Sequence, residues 1–340
     1  MHINNSKFKS QQGIALIVVL CFLVLLSLIV STIVVLSQSS SKKIIIEGDR
    51  ILSGYLAEGA AARMQWLLMA DIKANPNSNY IGNTNNFPTT GNTGNASGMR
   101  QFMATGAPIS IPYYDAKITI KLYDMCSGVN LSGGQGSNAL QQLLPAFANT
   151  PGLYNEFKIF IGNFTSYIGT GFGQGVSGLG KGDYYNLGLT PLPRNGPMQY
   201  RDEILWIPGA QDFFLPDSNG RLTTFDVIAN DFYANQVNFF AANKFIIMAL
   251  CNCSDQVAQM IIDARTNWLS NPSLSLNNFI PQNYMQILSQ KCSFKDSGNY
   301  TFIINASTGE GLYERELILS LKVGASMQGE YNQYYEYILY

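Results

Sequence analysis

Few residues in this chain carry chemistry, and their spacing limits what they could do. Cys21 lies in a long apolar run, which leaves Cys126, Cys251, Cys253 and Cys292 as an even set with three possible pairings. Cys251 and Cys253 are too close in sequence for a relaxed bridge to each other, so each is expected to pair with Cys126 or Cys292. A zinc site built from the four thiols is the alternative. The only histidine is His2, at the start of the chain, so a Ser-His-Asp or Cys-His nucleophile and a histidine metal site are both absent from the body. The adjacent carboxylates of Asp202 and Glu203 point apart on a helix and read as its solvated first turn. A hydrolytic pair of distant carboxylates has no positive support. The glycine-rich stretch GTGFGQGVSGLGKGD (Gly169 to Asp183) contains no GxxxxGK[ST] and no strand-loop-helix spacing, so no nucleotide site is expected there. DSNGR (Asp217 to Arg221) lacks the spaced acidic ligands of a calcium loop.

The elements that must position these residues begin with a membrane helix. The chain has 340 residues, enough for one large or two ordinary domains, and its hydrophobic content of 46% suits a globular core. Only 13% of residues are charged against about 25% in an average soluble domain, and Asn, Gln, Ser, Gly and Tyr fill the deficit. A formal net charge of −1 leaves no basic surplus to neutralise phosphates, so nucleic acid is not an expected partner. The run from Ile14 to Leu36 has no charge and is long enough to span a bilayer as one helix. Lys7 and Lys9 precede it, and Lys42 and Lys43 follow it. It persists past the length of a signal-peptide core and ends in SQSSSKK without a small-x-small cleavage site. A plain single-pass anchor is one reading of it, with the N-terminus in the cytoplasm and the body exported.

The seam KSQQGIALIVVLCF points elsewhere, with Gly13 between a short basic leader and the apolar helix. It resembles the class III leader of type IV pilins and type II secretion pseudopilins. That resemblance implies a prepilin peptidase that cuts after Gly13 and methylates the new terminal amine of Ile14. A residue without a Cβ lets a protease approach the backbone between a flexible leader and a rigid helix. The fifth position counted from Ile14 is Val18, where most pilins carry Glu to pair with the terminal ammonium of a neighbouring subunit. A subunit without that counter-ion suits the tip of a filament.

Apolar residues continue at helical intervals through Ile44, Ile51, Leu52, Tyr55, Leu56 and Trp66 until Asn75-Pro76. A helix from Ile14 to about Ala74 would be a rod of roughly 90 Å, although Gly48, Gly54 and Gly59 weaken it. Asn75 to Met99 reads as a long loop. KITIKLYD (Lys117 to Asp124) alternates as a half-buried strand, and NYTFIINASTG (Asn299 to Gly309) with ERELILSLKVG (Glu314 to Gly324) reads as a hairpin closing a sheet.

From Leu122 onward the order of motifs is similar to the K subunit of type II secretion, the large minor pseudopilin. The matching runs are YDMCSGVNLS, followed by an apolar helix ALQQLLPAF; then GDYYNLGL; NGPMQYRDEILWIPG; and VNFFAANKFIIMALCNCSDQVAQMIIDAR. Ser132, Phe240 and Ala242 depart from the family's turn residues, which implies rewired turns. SDQVAQMIIDAR (Ser254 to Arg265) also resembles a helix-hairpin-helix, with Ser254 as N-cap and Val257, Met260, Ile261 and Ala264 as the buried face. CNCSD supplies no cations at its turn, so packing is expected of it rather than DNA binding.

The fold the resemblance implies is α+β. Residues 1–13 would be the prepilin leader, 14–36 the transmembrane part of a spine helix and 37–74 its periplasmic part. Residues 75–124 would start a pilin-like head, 125–292 would form an inserted helical domain, and 293–340 would close the head's sheet. The implied role is a minor pseudopilin, single-pass in the bacterial inner membrane, that initiates or caps a secretion pseudopilus. Its implied partners are the minor pseudopilins I and J, the major pseudopilin, the inner-membrane assembly platform and the prepilin peptidase. No catalytic residue and no cofactor is expected. K subunits are associated with calcium held by acidic residues before the Tyr pair, but Asp183 is the only carboxylate in the equivalent segment here. The alternatives are a minor pilin of a type IV pilus or competence system, and a membrane-anchored periplasmic hydrolase or binding protein.

Overall fold

The computed structural model describes residues 6–74, 102–111, 116–131, 136–148, 150–169, 178–214, 222–228, 236–270, 276–308, 313–323 and 333–340, with side chains described from Leu16 in the first helix and from Glu336 in the last strand. The loop expected over Asn75 to Met99, the middle of the glycine-rich stretch and Asp217 to Arg221 lie outside these residues.

One helix, α1, runs from Ser6 to Ala74, about 100 Å at 1.5 Å per residue. It includes the residues before Gly13, so no break in the backbone marks the seam where a flexible leader was expected. It also runs through Gly48, Gly54 and Gly59. Those glycines cost helix propensity, but Ser53, Ala57, Ala60, Ala61, Met64, Leu68 and Ile72 recur every three or four residues and bury one face of the second half.

That face packs on a five-stranded sheet, ordered β1-β2-β7-β8-β9, in which every pairing is antiparallel. The strands are β1 (Thr105–Ser110), β2 (Lys117–Asp124), β7 (Asn299–Ser307), β8 (Glu314–Lys322) and β9 (Gln333–Leu339). The expected strand and hairpin are both present. Alternation turns Ile118, Ile120 and Leu122 of β2, Phe302 and Ile304 of β7, and Leu317, Leu319 and Leu321 of β8 into one core with α1. Helix, antiparallel sheet and further helices make the α+β class inferred from the sequence.

Neighbouring strands β2 and β7 are far apart in the chain. Between them stand α2 (Gly136–Gln141), α3 (Pro151–Tyr167), α4 (Lys181–Asn186), α5 (Lys244–Cys251), α6 (Asp255–Ser270) and α7 (Gln282–Lys291), with the two-residue parallel pairs β3 (Val129–Asn130) with β4 (Val227–Ile228), and β5 (Val237–Asn238) with β6 (Cys292–Ser293). These elements share a second core, centred on Phe147, Phe157, Phe160 and Phe213, whose rings lie 4.5–6.0 Å apart. ALQQLLPAF is not one helix: α2 ends at Gln141, and a 3-10 turn, Leu144–Phe147, starts afresh with Pro145 in its first turn, where no amide donor is needed. On α6 the buried face is Ala258, Ile261, Ala264 and Trp268, and Met260 turns outward.

The insert's position along the spine follows from its contacts. Asp49 accepts from Thr308 Oγ1 at 2.8 Å and Ser53 donates to the Tyr313 carbonyl at 3.1 Å, so Thr308 after β7 and Tyr313 before β8 lie toward the apolar half of α1. The opposite strand ends, Asp124 and Asn299, lie toward the last turns of α1, where Asp71 accepts from the Phe102 amide at 3.0 Å and acts electrostatically on Asp296. The insert therefore leaves the sheet at the end away from the apolar half of α1.

Two glycines give opposite predictions. A Cβ on Gly128 would lie 1.9 Å from the Asp226 carbonyl oxygen, so Gly128→Ala must push β3 off the segment before β4 and will lower the unfolding temperature sharply. A Cβ on exposed Gly48 meets nothing within 4 Å. Gly48→Ala should stabilise by about 0.5–1 kcal/mol in thermal or denaturant unfolding.

Candidate functional site: the helical seam and the junction of sheet and insert

Two places in the fold bear on function. The first is the apolar half of α1. From Leu16 to Leu36 its large side chains are exposed, and among the described residues α1 is the one unbent helix long and apolar enough to cross a membrane. Val18 is 61% exposed on that surface. Gly13 and Ile14 lie in its first turns as backbone only. The exposed apolar character does not stop with the membrane-length run. Ile44, Ile51, Tyr55 and Trp66 are 73%, 52%, 67% and 63% exposed. At 100° per residue they share one arc, opposite the face that packs on the sheet.

The second place is the junction where the chain leaves the sheet and returns. Asp124, the last residue of β2, is fully buried. Its carboxylate accepts from the Cys126 amide at 2.8 Å, from Asn238 Nδ2 at 2.7 Å, and from the amide and hydroxyl of Ser297 at 2.9 and 2.6 Å. One side chain thus ties the exit strand, the β5 turn and the segment entering β7. Asn238 Nδ2 also lies 3.3 Å from Asp296, whose other oxygen accepts from Tyr300 at 3.1 Å. Burial raises Asp124 above the usual carboxylate range and raises Asp296 to about 7, with Asp71 adding to the latter.

A parallel arrangement holds the inner turns. Asp226 accepts from the amide and hydroxyl of Thr223 at 2.7 and 3.1 Å and from Asn243 Nδ2 at 3.3 Å, and burial raises it to about 6. Asn243 also caps α5 by accepting from the Phe245 amide at 3.0 Å. Arg265 reaches back from α6 to the carbonyls of Phe239 and Ala242 at 2.7 and 2.9 Å. These bonds hold the turn that carries Phe240 and Ala242. Without Arg265 those two carbonyls would lack these bonds in the core.

Arg201 docks the insert on the outer face of the sheet. Its guanidinium is stacked 4.6 Å over Phe225, which lies flat on Tyr123 at 5.1 Å. It donates to Thr301 of β7 and Ser320 of β8 at 3.2 and 3.1 Å and pairs with Glu336 of β9. The neighbouring residue corrects the sequence reading. Glu203 is no solvated helix start but completely buried, closing the first turn of the 3-10 segment Arg201–Trp206 and gripped by Arg194. Its partner lies nine residues upstream in an irregular stretch, and no periodicity marks it.

All five cysteines are free thiols. Cys126 lies beside Asp124 and Ser297. Cys251 hydrogen-bonds Cys253 and feels Cys292 electrostatically, where α5 packs on α7. Burial raises Cys126, Cys251 and Cys292 to about 12, and at that value a thiol is a poor nucleophile or metal ligand. Among the described residues no three or more His, Cys, Asp or Glu side chains stand close enough to hold a metal ion. Asp183, the carboxylate left for the calcium implied by the resemblance, instead accepts from the Gly180 amide at 2.8 Å to start α4. Calcium asks for six to eight oxygens, and among the described residues Asp183 is the one carboxylate of that stretch. The groove on α6 is lined by Asp255, Asp263, Gln259, Met260 and Phe279, with no cation to meet a DNA backbone.

No protein-family model matches the chain, and no curated protein matches it. A solved structure does: the crystal structure of the GspK-GspI-GspJ complex from the type 2 secretion system of enterotoxigenic Escherichia coli. The chain it matches there is 13% identical, with a TM-score of 0.46, and the match covers 89% of this chain and 98% of that one.

Removing the Arg201 guanidinium would leave the Glu336 carboxylate, 14% exposed, without its charge partner. Arg201→Met should cost about 3–5 kcal/mol in denaturant unfolding. The junction also makes stability pH-dependent. Asp296 and Asp226 hold protons in the folded chain up to about 7 and about 6, whereas the unfolded chain releases them near 3.8. Between those values the folded state binds more protons, so stability must fall as pH rises, with the loss complete above about 7. Unfolding midpoints should be higher at pH 5 than at pH 8, and Asp296→Asn should flatten that slope.

Proposed function

We propose that this chain is a minor pseudopilin of the K type, which works by assembly rather than catalysis. The observation that carries the reading is a basic leader and Gly13 just before the apolar run of one helix that is lipid-length and apolar in its first half and packed on an antiparallel sheet in its second. In this reading the peptidase cuts after Gly13 on the cytoplasmic side, Ile14 becomes the methylated terminus, and the body stands in the periplasm. The exposed arc of Ile44, Ile51, Tyr55 and Trp66 lies against neighbouring spines, because such a stripe is costly in water. Its partners are the minor pseudopilins I and J at the tip, then the major pseudopilin, drawn up by the inner-membrane platform.

Two features favour the tip over a repeated position in the shaft. Val18 offers no carboxylate to the terminal ammonium of a subunit ahead. The insert also sits at the membrane-distal end of the head, where a further subunit would have to be added.

N-terminal mass spectrometry of the membrane-extracted protein tests the reading. It should find a chain starting at N-methyl-isoleucine, Ile14, and Gly13→Val should leave the leader attached. Recovery of an unprocessed Met1 terminus, or a cut beyond Leu36, would sink the proposal.

A further inference from the structure

The insert contains a buried carboxylate with a single close cation. Glu203 has no exposed side-chain surface. Arg194 Nε donates to its Oε2 at 2.7 Å and Nη2 to its Oε1 at 2.5 Å, the two-toothed geometry that suits guanidinium and carboxylate. The amides of Gln199 and Tyr200 donate to Oε1 at 3.0 and 3.1 Å, and the Tyr167 hydroxyl lies 3.4 Å from Oε2. Oε1 thus accepts from three donors and Oε2 from two. The contacts join α3 through Tyr167, the segment after α4 through Arg194, and the 3-10 turn through Glu203. These are the parts around the stretch that the resemblance would furnish with calcium. The carboxylate of that stretch, Asp183, is used as a helix start.

We propose that Arg194 is the resident cation of the insert, doing for this carboxylate what a divalent ion would otherwise do, so that the insert folds and holds its shape independently of calcium. The charge balance supports it: one guanidinium neutralises one carboxylate, and the other donors are neutral amides and a hydroxyl. Gly178 packs tightly in the same region. A Cβ there would fall 2.0 Å from the Gly162 carbonyl oxygen, and Asn163 holds the segment before α4 by accepting from the Leu179 amide at 3.0 Å and donating to the Pro208 carbonyl at 3.0 Å.

The test is thermal unfolding of the full chain in detergent, after treatment with a chelator, with EGTA or with about 1 mM calcium chloride, the weakest range of extracellular calcium modules. The midpoint should be the same in both, and calorimetric titration with calcium should show no binding heat. Arg194→Met should lower the midpoint by about 5 °C or more, calcium should not restore it, and Arg194→Met with Glu203→Gln should recover part of the loss because no buried charge is then unpaired. A midpoint raised by calcium in the parent chain, or an Arg194→Met variant as stable as the parent, overturns the proposal. The calcium comparison on the parent chain decides the matter even if the variants do not fold. Neither measurement depends on the N-terminus, so its outcome is separate from that of the assembly reading.

Discussion

A carboxylate carried out of water is tolerable only if its lone pairs are taken up by donors that cannot leave, and Asp124 places one at the point where the sheet gives way to everything else in the chain. Its acceptors are filled from three directions: the turn after β2, the β5 segment deep in the insert, and the residue that leads the chain back into β7. Without that knot, β2 and β7 would be neighbours in a sheet with a long excursion hanging between them and no fixed angle at its base. With it, the exit and return are held side by side, and the insert is presented from one defined end of the head. Arg201 then sets the second point of attachment on the outer face of the sheet. Two separated contacts fix an orientation that one alone would leave free to turn.

The low charge content takes on a physical meaning in this light. Several of the few ionisable groups are buried or half-buried at joints: Asp124 and Asp296 at the base of the insert, Asp226 behind β3, Arg265 under the α5 turn, and the pairs of Arg201 with Glu336 and Arg194 with Glu203. At such places each group has several neutral donors or acceptors from different elements, so it specifies which element goes where more than it adds to net stability. Asn and Ser complete these networks, as Asn238, Asn243 and Ser297 do. An amide-rich composition serves a fold whose irregular turns must be satisfied one hydrogen bond at a time.

How much of this was legible in the sequence depends on whether the partners were close in the chain. The spine, β2 and the β7–β8 hairpin were readable because burial on one face imposes a period of 3.6 or 2 that needs no knowledge of what covers it. ALQQLLPAF misled because its apolar run outweighed the one residue, Pro145, that decides where a helical turn can begin. Met260 misled in a similar way, since the true face of α6 is set by Trp268 and by Arg265 reaching the preceding turn. The joints were not readable at all. Asp124 meets Asn238 and Ser297 across more than a hundred residues, and Arg201 meets strands that close the sheet much later. Glu203 sits beside Asp202 in sequence, and nothing in that adjacency distinguishes the carboxylate that enters the core from the one that does not.

The spine itself sets the last constraint. A helix of this length with apolar residues on every side of its first half can be accommodated in lipid, but its second half has two faces with different fates. One is covered by the chain's own sheet. The other carries Ile44, Ile51, Tyr55 and Trp66, which a protein standing alone in water would expose at a cost. The same arc holds Gly48, Gly59 and Ala62, small residues that let a second helix come close. In the assembly reading proposed above, this opposite apolar face is where a neighbouring spine would pack along the length of the rod. The fold thus leaves one long apolar face of the spine uncovered along its side, while the insert is held at the end of the sheet away from the apolar half of α1.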